Sequence, residues 1–183
     1  MTTRFTLRAL AHCGLSLVLL TAVGCGGSAS PGVTPATQSG PSLAPDFELT
    51  TLAGTRERLA AHRGKDVVLI DFWATFCEPC LLALPELEAL YQRERSRGFV
   101  VLAVAIDEAA NAARVRSEVS KLGLSFPVLL DPDTRIISLY NPRATAPYSV
   151  LVGRDGQVLR RQEGYTTGER ENLERAVSDA LAH

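Results

Sequence analysis

Apolar side chains recur along this chain with a period that changes from stretch to stretch, and the changes mark its elements. FELTTL (47–52) alternates apolar and polar residues in the manner of an edge strand, and Ala53-Gly54 turns the chain. VVLIDFW (67–73) is a continuous apolar run, the mark of a strand buried on both faces. Residues 78–97 carry Leu81, Leu84, Leu87 and Tyr91 at helical spacing, with Pro85 inside as a kink. FVVLAVAID (99–107) predicts a second buried strand, and 109–122 a polar helix with Ala, Val and Leu on one face. FPVLLD (126–131), a short helix around 133–140, YSVLVG (148–153), QVLRRQ (157–162) and a helix from about 168 to 181 complete the pattern. The turn Arg154-Asp155-Gly156 between two apolar runs predicts a hairpin. No internal repeat interrupts this α/β alternation.

The first residues follow other rules. Arg4 and Arg8 precede GLSLVLLTAVG (14–24), an uncharged stretch of signal-peptide length and short for a membrane span. It ends in Ala22-Val23-Gly24-Cys25, which resembles a bacterial lipobox, although Ala22 stands where leucine is usual. Residues 1–24 are therefore expected to be a lipoprotein signal peptide and Cys25 the lipidated first residue of the mature chain, with ordinary secretion as the alternative. GGSASPGVTPATQSGPSLAP (26–45) has no charge and almost nothing to bury, the composition of a disordered tether with a reach on the order of 25 Å. The expected organisation is signal 1–24, lipidated cysteine and tether 25–44, and one domain over 45–183. With 183 residues, 46% apolar, and a net charge of −1, the chain supports one core and shows no basic stripe, so nucleic acid is not an expected partner.

Processing changes the cysteine count. Of four cysteines, Cys13 lies in the signal and Cys25 is consumed by lipid, leaving Cys77 and Cys80 in DFWATFCEPC (71–80). A strand ending at Trp73 and a helix starting near Cys77 place the first cysteine at a helix N-terminus, where unpaired N–H groups and the dipole favour a thiolate. Cys77 is thus the candidate nucleophile and Cys80 the resolving thiol. A structural bridge closing so short a loop gains little. Zinc needs further ligands, and the mature chain offers only His62 and His183, so no metal is expected. Asp71, a carboxylate within an apolar run, has two candidate roles. It either faces the core and accepts the Cys80 proton, or points to solvent at the strand end.

APDFEL (44–49), DFWATFCEPC, Pro85, VAID (104–107), FPVLLDPD (126–133), TAPYSVLVGRDGQV (145–158) and GYT (164–166) together resemble the TlpA/ResA-like thioredoxin family over residues 43–181. The order of elements agrees with a thioredoxin-like fold: a central mixed sheet flanked by helices, with an N-terminal strand extension and a central helix-containing insertion. The resemblance implies a membrane-tethered thiol-disulfide oxidoreductase of the bacterial cell envelope, facing the periplasm or extracytoplasmic space, whose redox group is the Cys77–Cys80 disulfide and which needs no other cofactor. It further implies a cis bond at Ala146–Pro147, with Ala146 pairing to a substrate strand, while Pro127 precedes a different strand. Trp73, Phe76, Ala146 and Pro147 are the implied substrate contacts, Glu78 and Pro79 the residues that tune the pair. The implied partners are disulfide-containing exported proteins, apocytochrome c among them, and a membrane thiol reductant of the DsbD or CcdA type. The chain departs from the family at Ala83, where a glutamate that handles protons is common, and at Phe76, where tryptophan is usual. Asp71 stands where thioredoxin itself keeps a buried aspartate.

Two other functions fit less well. Copper-delivering proteins of the SCO type use Cys-x-x-x-Cys and a downstream histidine, whereas here none follows before His183. A peroxiredoxin needs Thr-x-x-Cys, and Thr75 is only two residues before Cys77.

Overall fold

A computed structural model describes residues 42–183 of the protein. The expected signal segment, Cys25 and nearly all of the tether lie outside the described residues. In chain order the elements are β1 (Glu48–Thr51), β2 (Arg56–Arg58), β3 (Val67–Trp73), α1 (Glu78–Glu94), β4 (Phe99–Ala105), α2 (Ala112–Leu122), β5 (Val128–Leu130), α3 (Arg135–Tyr140), β6 (Tyr148–Val152), β7 (Val158–Glu163) and α4 (Thr167–Ala182). The strands form one seven-stranded mixed sheet in the order β2-β1-β5-β4-β3-β6-β7. β4 runs parallel to both β3 and β5, and β6 is antiparallel to β3 and β7. All seven residues of β3 are buried, so both faces of the sheet centre are covered. α1 packs against β4 and α4 against β3.

Two expectations needed correction, and a third is extended. FELTTL is not an edge: β1 pairs with β2 on one side and β5 on the other. The edge is β2, whose Arg-Glu-Arg sequence carries no apolar alternation; its charges suit an edge that must resist further pairing. The insertion supplies a strand as well as a helix, for β5 joins the N-terminal hairpin to β4, and the Pro127 carbonyl accepts the Ala103 N–H at 3.1 Å. Residues 42–44, expected in the tether, are already part of the domain. Val158 N–H donates to the Ser42 carbonyl and Ala44 N–H to Gly156, both at 2.9 Å. Composition could not show this, because backbone pairing is indifferent to side chains.

α1 buries Cys80, Ala83, Leu84, Leu87 and Leu90, with Leu81 and Tyr91 half-buried beside them. The apolar stripe is thus rotated from the expected one so that it includes the second cysteine. The helix gives way to a tight turn at Arg95–Arg97, closed by Gly98 at φ 86°, a left-handed conformation that favours glycine.

The loop between β5 and α3 is tied by Asp131. Its buried Oδ2 accepts the N–H groups of Ile136 at 2.9 Å and Ile137 at 3.0 Å. Asp131→Ala leaves both buried donors unpaired and is expected to cost about 2 kcal/mol. The check is a lower urea midpoint at unchanged m-value.

Candidate active site

β3 delivers the chain to the cysteines. After Trp73, a three-residue link leads to Cys77, which is the N-cap of α1. Cys77 N–H donates to the Ala74 carbonyl and Leu81 N–H to that of Cys77, both at 3.1 Å, fixing the link against the first helical turn. Cys77 and Cys80 are joined in a disulfide. Both are buried, Cys77 at 8% exposure and Cys80 at 2%. Pro79, in the first turn, has no N–H to offer, and no side chain among the described residues caps this terminus. Cys80 N–H occupies the third helical position, where an N-cap side chain finds its donor. A Cys77 thiolate would meet that donor and the positive end of the helix.

Asp71 lies in mid-β3, paired with Ala103 on one side and Ser149 on the other, and is buried. The solvent-pointing alternative is excluded. Burial alone pushes its carboxyl up to about 7. Ser149 is in turn opposite Gln162 on β7, so Asp71, Ser149 and Gln162 form one cross-strand row with side chains on a common face. The Gln162 amide oxygen accepts from Arg160 at 2.7 Å, which turns its NH2 group toward Glu169 of α4, to which it donates. A cavity of about 30 Å³ lies along this row, lined by Asp71, Ala83, Pro147, Ser149, Gln162 and Glu169 among others. That volume suffices for a water molecule with several polar partners. Ala83 lines the same cavity, so the place of the glutamate common in the resembled family is beside Asp71.

The Ala146–Pro147 bond is cis. The Pro147 carbonyl accepts from Gly164 N–H at 2.9 Å, while the Ala146 backbone makes no hydrogen bond among the described residues. Phe76 is 72% exposed beside Cys77 and leaves an apolar rim there. Trp73 is different. At 0% exposure it belongs wholly to the core, with its indole N–H unpaired among the described residues, so the expected substrate contact at this position is corrected to a packing one. The exposed Glu78 and Pro79 occupy the outer surface of the first turn.

Sequence reasoning missed Asp107. This buried carboxylate, just beyond β4, accepts the Thr75 N–H at 3.0 Å and the Thr75 hydroxyl. It therefore pins the link between β3 and Cys77. The signal was an acidic residue ending an apolar run in VAID, but nothing in the sequence paired it with Thr75. Gln162 and Glu169 were missed too, since only strand register and the packing of α4 bring them to the row. Among the described residues no group of three or more His, Cys, Asp or Glu is placed to hold a metal ion.

A cysteine pair bridged at the helix N-terminus that follows β3, with a cis-proline entering the neighbouring strand β6, defines a protein thiol-disulfide oxidoreductase. The chain belongs to the AhpC/TSA family, whose profile matches residues 42–161. Within it the chain is 35% identical to the thiol-disulfide oxidoreductase ResA of Geobacillus kaustophilus over 73% of this chain and 74% of that one. It is 33% identical to ResA of Bacillus subtilis, covering 69% and 68% respectively. A crystal structure assigned as the thiol:disulfide interchange protein DsbE from Chlorobium tepidum superposes with a TM-score of 0.71 at 31% identity, covering 77% of this chain and 96% of that one. The enzyme acts on disulfide-containing proteins, and its redox group is the Cys77–Cys80 disulfide.

Proposed function

We propose that this protein reduces disulfides of exported proteins from a lipid anchor on Cys25 at the extracytoplasmic face of a bacterial membrane, and that apocytochrome c is among its substrates. The observation that carries the reading is the bridged pair at the start of α1, with the buried Asp71 on β3, the strand that leads to it, and cis-Pro147 entering the adjacent strand β6. In the reduced form the Cys77 thiolate attacks one sulfur of a substrate disulfide, forms the mixed disulfide and expels the other sulfur as thiolate. Cys80 then passes its proton to Asp71 and attacks the Cys77 sulfur. This closes the Cys77–Cys80 bond and releases the second substrate sulfur, so two electrons leave the pair for the substrate. The cavity beside Asp71 gives that proton a way to water.

The backbone of Ala146, unpaired among the described residues, is the place for a substrate strand, with apolar surface supplied by Pro147 and the exposed Phe76. Glu78 and Pro79 set the charge and geometry of the helix start. A membrane thiol carrier of the DsbD or CcdA type restores the reduced pair. The basic, apolar and lipobox pattern of residues 4–25 supports export and anchoring, and the Glu78-Pro79 dipeptide supports the cytochrome branch. The peroxide-reducing alternative finds no help in Thr75, whose hydroxyl is committed to Asp107.

The test is capture in cells. Full-length Cys80→Ala lacks the resolving thiol, so its mixed disulfides persist and can be identified by mass spectrometry after acid quenching. Exported proteins with cysteine pairs, including c-type apocytochromes, are the expected captures, and they disappear when Cys77→Ala is added. Capture of exported proteins without any apocytochrome removes the cytochrome branch; capture of cytosolic proteins alone removes the localisation.

A further inference from the structure

The buried contact between Asp107 and Thr75 has no part in the mechanism above, yet it lies two residues from the attacking sulfur. Both residues are buried, at 4% exposure each. Asp107 takes both donors of Thr75: the N–H at 3.0 Å from Oδ2 and 3.3 Å from Oδ1, and the hydroxyl on Oδ1. Thr75 and Cys77 Cα atoms are held within about 7 Å by the length of the chain. A carboxylate oxygen 3.0 Å from the Thr75 nitrogen is thus within about 14 Å of the Cys77 sulfur, in a poorly screened setting where like charges oppose one another.

The Asp107 charge raises the free energy of a neighbouring thiolate. The helix terminus works the other way, drawing Cys77 toward ionisation. The other acidic groups within four residues of Thr75 or Asp107 along the chain are the buried Asp71 on β3 and the exposed Glu78 and Glu108. Of the four, Asp107 alone is bonded to the link preceding Cys77.

We propose that Asp107, bonded to the link before Cys77, restrains ionisation of Cys77 through its charge, and thereby disfavours the dithiol relative to the disulfide and makes the protein a stronger reductant. The governing equilibrium is disulfide plus two glutathione thiols giving dithiol plus glutathione disulfide, balanced in electrons and protons. A less stabilised dithiol moves it to the left. The proposal rests on Cys77 being the attacking thiol.

The test compares full-length wild type, Asp107→Asn and Thr75→Val, purified in mild detergent and reduced. Alkylation by iodoacetamide is followed against pH, with the Cys77 and Cys80 peptides resolved by mass spectrometry, and each protein is equilibrated with glutathione. Asp107→Asn keeps an acceptor for Thr75 but removes the charge. Its Cys77 profile is expected to move to lower pH by about one unit, a tenfold gain in ionisation, and the glutathione equilibrium to shift toward dithiol. Thr75→Val keeps the charge and moves neither quantity in that direction. A contact that merely holds the link in place predicts the same response to both substitutions, and that result overturns the proposal, as does an Asp107→Asn profile lying on that of wild type. Should Asp107→Asn not fold, the wild-type Thr75 amide proton decides. It bonds to the same carboxylate and must shift as Cys77 titrates; a flat trace overturns the proposal. Preferential alkylation of Cys80 would instead remove the assignment of Cys77 as the attacking thiol.

Discussion

Asp71→Asn is expected to slow resolution of the mixed disulfide by roughly 100-fold at neutral pH while making the protein more stable. Both effects have one cause. The buried carboxyl holds its proton up to about pH 7, against 3.8 for an ordinary aspartate, because the folded protein strips water from its charged form. In the folded state it binds a proton more tightly than in the unfolded one. Stability from this residue is therefore fully present below about pH 4 and lost as pH rises through about 7, a cost of about 4 kcal/mol above that point. Asparagine has the same shape and no charge to bury. Urea denaturation at pH 8 should show the variant to be the more stable protein, and the difference should vanish near pH 4.

The kinetic signature comes from a symmetric nitroaryl disulfide added in equimolar amount to the reduced protein. Attack by Cys77 releases one coloured thiolate and resolution by Cys80 releases the second. In the wild type the second release slows below about pH 7, where Asp71 already carries a proton, and levels off above it. In Asp71→Asn the plateau is lost, and the rate climbs with self-ionisation of Cys80 toward an ordinary thiol pKa of about 8.5. An unchanged second phase would return Asp71 to a structural part.

Cys77→Ala is expected to remove activity outright, by more than roughly 1000-fold in reduction of insulin disulfides by dithiothreitol, since no other described side chain stands at the N-cap of α1. Cys80→Ala behaves differently. It retains the first release from the aryl disulfide and stops there, accumulating one mixed disulfide per chain. The contrast assigns the two roles in a way that loss of activity alone does not. If Cys77→Ala formed the stable mixed disulfide and Cys80→Ala did not, the roles of the two sulfurs would be exchanged.

Much of this site was legible in DFWATFCEPC because its chemistry is local. A continuous apolar run, a proline in the first turn and two cysteines three residues apart define a strand-to-helix junction with a thiol at the helix start, whatever surrounds it. An aspartate amid VVLIDFW was conspicuous for the same reason, as charge is costly on a buried strand. Thr75 and Asp107 were not legible as a pair, since 32 residues separate them and the hydrogen bond exists only because β4 lies parallel to β3. β2 escaped notice because an edge strand does not need apolar alternation, and Trp73 was misplaced because β3 is covered on both faces to its last residue.

The sequence by itself determined the α/β order and the cysteine pair at a strand-to-helix junction, and it marked Asp71 as a carboxylate with two candidate placements, since local periodicity and the cost of buried charge act within a few residues. Only the tertiary structure decided which side chains share the cavity with Asp71, which carboxylate holds the link to Cys77, and that β5 rather than solvent lies beside β1. Those are matters of register and crossover, set by how distant segments exclude water together and not by any pattern within one of them.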